Sequence, residues 1–315
     1  MFQCAFKLFF DTFNVTPIIP ISLAITFALS GGNYSSLWSD IDISRGQVAK
    51  VMFQRSKNAA IKVHGHFSQA QAPEATQLLS SHLPRICFLK IQSGRVNPPS
   101  LKELLHVLQS LAASLHTLSL IDGLPISNTK ENVELQFPVV ELSRIEELKI
   151  TGPMVACIPL LIHLRHPHGT EITIHGKIAS GRDDLIVSSS FLSHVAKYFH
   201  VDPNSRSSGV QKACFDWMSD YSDPSEEKDP CYMGIDIYDQ HGFMFRVHVE
   251  AHCPDRPHEF RWLILERGFS AFFDTFNVSQ LSTVLFWGGF FPVSPTVLHN
   301  CCGALPNLKT FHVDI

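Results

Sequence analysis

The chain has 315 residues, of which 45% are hydrophobic and 17% charged, and a formal net charge of −4. That length can bury a large apolar core, as one elongated domain or two compact ones, without metal or disulfide staples. So small a net charge leaves no electrostatic footprint for nucleic acid or anionic lipid, and both are set aside as main partners.

The 8 cysteines, at positions 4, 87, 157, 214, 231, 253, 301 and 302, show no C-x-x-C and no framework spacing. They read as reduced thiols of a cytoplasmic or nuclear protein. The 17 histidines are densest at His163-His166-His168 and at His248-His252-Cys253-His258. Neither group has the paired-loop spacing that zinc requires, so no metal site is expected. Nothing in the sequence calls for a cofactor.

Residues 1–35 form an apolar arm. Ile18 to Leu29 resembles the h-region of a signal peptide, with Ala28, Ser30 and Gly31 as a small-residue exit. Lys7, Asp11 and Asn14 interrupt the longer run, Pro17 and Pro20 break helix, and a basic n-region is missing. A packed or exposed arm is therefore expected, and a secreted or membrane-associated repeat protein with a signal or anchor is the alternative. The N-x-S/T sequons at Asn14, Asn33 and Asn277 matter only under that alternative.

Residues 36–315 are expected to form a single leucine-rich-repeat-like domain. Ser44 and Gln47 predict a helix cap ahead of Val48, Val51 and Met52. An apolar-x-x-apolar-x-apolar pattern then recurs, as Ile86, Leu89, Ile91, as Leu115, Leu118, Leu120, and as Ile145, Leu148, Ile150. It returns as Phe260, Leu263, Leu265, as Leu281, Val284, Phe286, and as Leu308, Phe311, Val313. Each is the strand half of a repeat unit with a period of about 20 to 29 residues.

Helical periodicity fills several of the gaps. After Pro98-Pro99, Ser100 and Glu103 form a capping box, and Leu101, Leu104, Leu105, Leu108 and Leu111 make one apolar stripe. Phe191, Leu192, Val195 and Phe199 predict another helix, and Ser294-Pro295 opens a last one with Val297, Leu298 and Cys301 inward. Strands separated by helices imply parallel pairing. The expected fold is thus α/β: an irregular leucine-rich-repeat-like solenoid with a curved, mostly parallel sheet and helices on its outer face.

Two stretches break the period. Residues 201–231 are rich in Asp, Ser, Pro and Glu and read as a polar excursion carrying Trp217 and Tyr221. Loops on a rigid scaffold carry recognition, which makes Trp217 and Tyr221 the candidate partner-contact residues. Beyond it, Ile235, Ile237, Phe245, Val247 and Val249 alternate as in a hairpin.

One repeat is of another kind. Residues 6–15, Phe-Lys-Leu-Phe-Phe-Asp-Thr-Phe-Asn-Val, match residues 269–278, Phe-Ser-Ala-Phe-Phe-Asp-Thr-Phe-Asn-Val, at eight of ten positions. Copies so far apart are no solenoid period. Duplication of a carboxy-terminal fragment onto the amino terminus, replacing a native start, is the expectation that fits.

No catalytic constellation is present: there is no G-x-S-x-G, P-loop, G-x-G-x-x-G or H-E-x-x-H. Asp183-Asp184 lacks a partnered acid and reads as a solvated turn. Gly288-Gly289 lacks the Lys and Ser/Thr of a phosphate loop and reads as a tight turn. Cys301-Cys302 reads as inward packing rather than a redox pair. The chain is therefore expected not to be an enzyme.

Ser36-Leu37-Trp38-Ser39-Asp40-Ile41-Asp42-Ile43 resembles the stretch that follows the F-box in the expanded fungal family of F-box proteins with leucine-rich-repeat-like tails. Arg55-Ser56-Lys57-Asn58-Ala59-Ala60, followed by the strand Ile61-Lys62-Val63, is similar to that family's next helix end. Leu83-Pro84-Arg85-Ile86 and Leu305-Pro306-Asn307-Leu308 resemble its strand entries, and Ile162 to Ile174, with His166-Pro167-His168-Gly169-Thr170, resembles another common segment. The resemblance makes Leu37, Trp38, Ile41 and Asp42 structural signature residues. It implies the substrate receptor of a cullin-type ubiquitin ligase, an interaction scaffold for an unidentified protein target. The family's F-box patterns, L-P-x-E-I/L-L and C-R-x-W-R, do not occur in residues 1–35, so adaptor binding is expected only where an F-box is present.

Overall fold

Strand alternation and a few amphipathic stripes build the molecule. The computed structural model describes residues 35–67, 79–93, 100–124, 137–167, 169–178, 210–219, 231–239, 242, 244–251, 269–270, 272–274, 276, 278–287, 295–303 and 305–314. A 3-10 turn at Ser35–Trp38 leads into β1 (Asp40–Asp42), a second such turn (Ile43–Arg45), α1 (Gln47–Arg55) and β2 (Ile61–Phe67). A turn at Leu83–Arg85 opens β3 (Ile86–Ser93), and α2 (Leu101–Leu111) and β4 (Thr117–Ile121) follow. Then come β5 (Val140–Glu141), β6 (Glu147–Pro153), α3 (Met154–Ile162), β7 (Leu164–Arg165) and β8 (Glu171–Ile178). The rest comprises β9 (Lys212–Ser219), β10 (Cys231–Tyr238), β11 (Met244–Ala251), β12 (Thr283–Trp287), α4 (Pro295–Cys302) and β13 (Thr310–Val313).

Eleven strands form one open sheet in the order β1-β2-β3-β4-β6-β8-β11-β10-β9-β12-β13, and β5 and β7 pair separately. Neighbours are parallel except that β10 runs against both β11 and β9. The sheet is therefore mixed, with one reversed strand set among ten that share a direction.

This arrangement overturns the expected leucine-rich-repeat-like solenoid. In a solenoid each unit stacks on its predecessor in the chain. Here β8 pairs with β11 rather than with β9, and the three-strand meander β9-β10-β11 enters the sheet in reverse order. Helices are few for an outer layer: among the described residues, four of eight residues or more accompany thirteen strands. In β3, β4, β6 and β12 the recurring apolar motif marks a strand and its core-facing side, whereas in β13 its Phe311 is exposed, and nothing in the motif sets strand order.

Two apolar rows show what holds the sheet together. Ile41, Val63, Leu89, Leu118, Leu148, Ile172, Phe245, Ile237, Ala213, Val284 and Phe311 lie in register, one from each strand. The adjacent row runs from Gly65 through Ile91, Leu120, Ile150, Ile174, Val247, Ile235, Phe215 and Phe286 to Val313. Most of these side chains are buried. At about 1.5–3 kcal/mol for each fully buried large aliphatic or phenyl group, this face outweighs any single polar interaction in the fold. The sheet's two edges are short, three residues at β1 and four at β13, which limits the backbone offered to a foreign strand.

The helix signals resolve unevenly. In α2 the Ser100–Glu103 capping box is complete, and Leu104, Leu105, Leu108 and Leu111 face the core. α1 begins at Gly46 with no side-chain cap, because Ser44 instead closes the preceding turn on Asp42. Its inward residues are Ala49 and Phe53, while Val51 is exposed. Residues 212–219 of the expected polar excursion form β9, which places Trp217 on a strand rather than in a loop. The strand expected at Phe260 and the helix at Phe191 lie outside the described residues. No helix among the described residues is long and apolar enough to cross a membrane.

Candidate functional site

Alternation that sends the apolar rows to one face sends polar residues to the other, and they concentrate on β6, β8, β11 and β10. Arg246 on β11 stands directly opposite Asp236 on β10. Its guanidinium donates from Nε to Asp236 Oδ1 at 2.8 Å and from Nη2 to Oδ2 at 2.7 Å. That two-pronged pairing fixes both side chains and holds the guanidinium firmly protonated.

One step along the same strands, His248 is in register with His175 on β8 and with Gly234 on β10. The imidazole centroids lie 4.9 Å apart with planes tilted by 36°. A Cβ on Gly234 would crowd Asp216 Cβ at 3.2 Å and meet His248 Cε1 at an ordinary contact distance of 3.5 Å, so the glycine sits closely between the two side chains. Burial, then the neighbouring His175 and Arg246, pulls the His248 pKa down, and Asp236, 4.0 Å from Nε2, opposes the shift. His175 is lowered by burial, then by Arg246 and Lys149. Both rings are thus held neutral at physiological pH, each with one donor and one acceptor nitrogen.

The surrounding groups are similarly tied. Lys149 pairs with Glu147 on its own strand, and Lys177 Nζ donates to Asp122 Oδ1 and Oδ2 at 2.9 and 3.1 Å. Lys212 Nζ stands 4.9 Å from the centre of the Tyr238 ring. Cys214, in register with Asp236, is buried, and burial pushes its thiol pKa up despite the opposing effect of Lys212. A protonated thiol is a poor nucleophile. Fixed charges and neutral imidazoles on a rigid strand scaffold present an ordered pattern of hydrogen-bond donors and acceptors. The chain matches no family model, no curated protein and no solved structure.

The signature residues sit elsewhere, at the β1 edge. Ile41 is fully buried in the first apolar row. The Arg55 guanidinium lies 4.8 Å over the Trp38 ring. Asp42 Oδ1 accepts from Ser44 N at 3.0 Å and from Ser44 Oγ at 2.6 Å, and Oδ2 meets Arg45 Nε at 3.3 Å. The turn so formed lies against Gly65 of β2. Leu37 falls in the first 3-10 turn, and its side chain lies outside the described residues. Trp38, Ile41 and Asp42 thus lie at the sheet edge, away from the polar cluster on β8, β11 and β10.

Of the partner-contact candidates, Trp217 is in register with Met233 of β10, and its side chain lies outside the described residues, as does all of Tyr221. Asp183-Asp184, Gly288-Gly289 and the run from His252 to His258 also lie outside them. Among the described residues no three His, Cys, Asp or Glu side chains converge as metal ligands. Sequence reasoning singled out His248 for a different grouping and passed over His175, Asp236 and Arg246. Their signal was available in the polar half of the alternation at Gly234–Asp236, Arg246–His248 and Thr173–His175.

Proposed function

We propose that this chain is a protein-binding module of the cytoplasm or nucleus that recognises its target through the polar face of the sheet, with no chemistry of its own. The observation that carries this reading is the Asp236–Arg246 pair with the neutral His175–His248 pair beside it. Strand-mounted groups of this kind are preorganised for hydrogen bonding to a partner, which reduces the ordering cost of association. Their charges are mutually satisfied, and the nearby thiol is held protonated, which favours recognition over catalysis.

The order of short motifs from Ser36 to Leu308 supports a more specific role, the target-binding part of an F-box subunit of a cullin-type ubiquitin ligase. Two of those motifs, Arg55-Ser56-Lys57 and Leu83-Pro84-Arg85, meet through a hydrogen bond between Arg85 and Ser56. Affinity purification of the full chain tests both levels. A variant carrying Lys149→Ala, His175→Ala and His248→Ala is expected to lose partners that a control variant, Lys102→Ala on the exposed side of α2, retains. Equal recovery by both variants would remove the polar face from the reading. Recovery of the ligase adaptor by the full chain, compared with a chain lacking residues 1–35, decides the F-box role separately.

A further inference from the structure

Phe215 on β9 and Phe286 on β12 stand side by side in the second apolar row, their rings stacked with centroids 5.2 Å apart. Phe269, Phe272 and Phe273 pack onto them. In the segment 269–276, residues 269–270 and 272–274 are helical, and Phe276 N donates to Phe272 O at 3.0 Å. The phenylalanines at 269, 272, 273 and 276 recur at the spacing of one helix face. Phe269 lies 5.0 Å and Phe272 5.4 Å from Phe215, centroid to centroid, and Phe269 lies 5.6 Å from Phe286. Phe269, Phe272 and Phe276 are buried and Phe273 is half-buried. The segment is an aromatic plug in a socket made by two strands.

Residues 6–15 repeat that plug. All four phenylalanines return, at 6, 9, 10 and 13, together with the Asp-Thr and Asn-Val that follow and flank them. The two differences, Lys7 for Ser270 and Leu8 for Ala271, fall at positions off the phenylalanine stripe. Every phenylalanine that packs on the socket in one copy is therefore present in the other. Aromatic pairs are selective for ring placement as well as for buried area, so identity of the stripe carries the recognition with it.

We infer that residues 6–15 are a second ligand for the Phe215–Phe286 socket, competing with residues 269–278 for the same site. A chain with two plugs for one socket has one aromatic segment in excess, and exchange of the pair gives this protein a route to self-association or to exposure of residues 269–278.

A synthetic peptide of residues 6–15 with a diazirine-bearing phenylalanine in place of Phe6, the counterpart of Phe269, tests it against the full chain. Saturable crosslinking to residues 212–219 or 283–287 is expected, blocked by excess unlabelled peptide of residues 269–278. The same peptide with Phe9, Phe10 and Phe13 replaced by alanine is expected to lose at least 10-fold in crosslinking. Weakening the resident plug with Phe272→Ala and Phe276→Ala is expected to raise the yield several-fold. If that variant fails to fold, the crosslink map on the unaltered chain decides. Equal labelling by the alanine peptide, or no saturable labelling of β9 or β12, overturns the inference.

Discussion

The Arg85 guanidinium donates from Nη2 to the hydroxyl of Ser56, a fully buried residue at the end of α1. Ser56 Oγ in turn donates to Phe53 O at 2.8 Å, and Arg85 Nε donates to Ala59 O at 3.1 Å. One guanidinium thus clamps the helix end and the chain leaving it against the entry to β3, beside the stacked rings of Phe53 and His82. Replacing Arg85 with alanine strips the partners from Ala59 O and from one side of Ser56. A loss of about 1.5–3 kcal/mol is expected for hydrogen bonds from a charged donor. Arg85→Lys should recover little of it, because an ammonium cannot reproduce a fork that reaches two acceptors. Urea denaturation of the three proteins measures both effects.

Gly65 tests the closeness of the Asp42 turn to the sheet. A Cβ at this position would lie 2.7 Å from Ile43 Cγ1, 3.1 Å from Ser44 N and 3.3 Å from Asp42 Oδ1. The nearest atom belongs to a buried side chain with little freedom to retreat. Gly65→Ala is expected to destabilise the protein by about 1–3 kcal/mol, the usual cost of overpacking. Ile43→Val removes only the distal methyl, and Ile43→Ala removes Cγ1 itself. Combined with Gly65→Ala, only Ile43→Ala should give a favourable coupling energy in a double-mutant cycle.

Burial of alternating residues writes strands into a sequence, which is why Leu118 and Leu120, or Val284 and Phe286, are legible without a structure. Strand direction leaves no such trace. Ile235 and Ile237 alternate identically whether β10 runs up or down, so they revealed a hairpin and not how its insertion would separate β8 from β9. α3 was illegible for another reason: Met154 to Ile162 has almost no polar face, and Pro159 sits inside it. The polar cluster joins Lys149 and His175 to Asp236 and Arg246, distant in sequence, and only the sheet register brings them together.

Cys157 on α3 offers a chemical check on the core. Its side chain is fully buried, its Sγ lies 3.8 Å from Gly152 O, and burial, reinforced by Asp122, pushes the thiol from 9.0 up to about 12. Near neutral pH this leaves about a thousandfold less thiolate than an unperturbed thiol has, and thiolate is the reactive form. Iodoacetamide should therefore leave Cys157 unmodified in the folded protein over a period that fully labels it in urea. Peptide mass spectrometry reads the site directly, and equal rates in the two conditions would contradict the packing of α3.

Acid should weaken the fold through its histidines. His175 and His248 are both lowered from 6.5, each mainly by burial, and the charged groups that act on them are Lys149, Asp236 and Arg246. His82 and His163 are lowered in the same way. In the unfolded chain these rings protonate near their ordinary value, while the folded chain resists until a lower pH. Between those values the unfolded state binds more protons, so stability rises with pH there. The histidine contribution is complete above about pH 6.5 and declines as pH falls toward the folded-state values. Urea midpoints from pH 5 to pH 8 should fall on the acid side of that range. The double variant His175→Gln and His248→Gln should flatten the fall and leave the part due to His82 and His163. A slope unchanged by the double variant would show that the polar-face imidazoles titrate alike in the folded and unfolded chains.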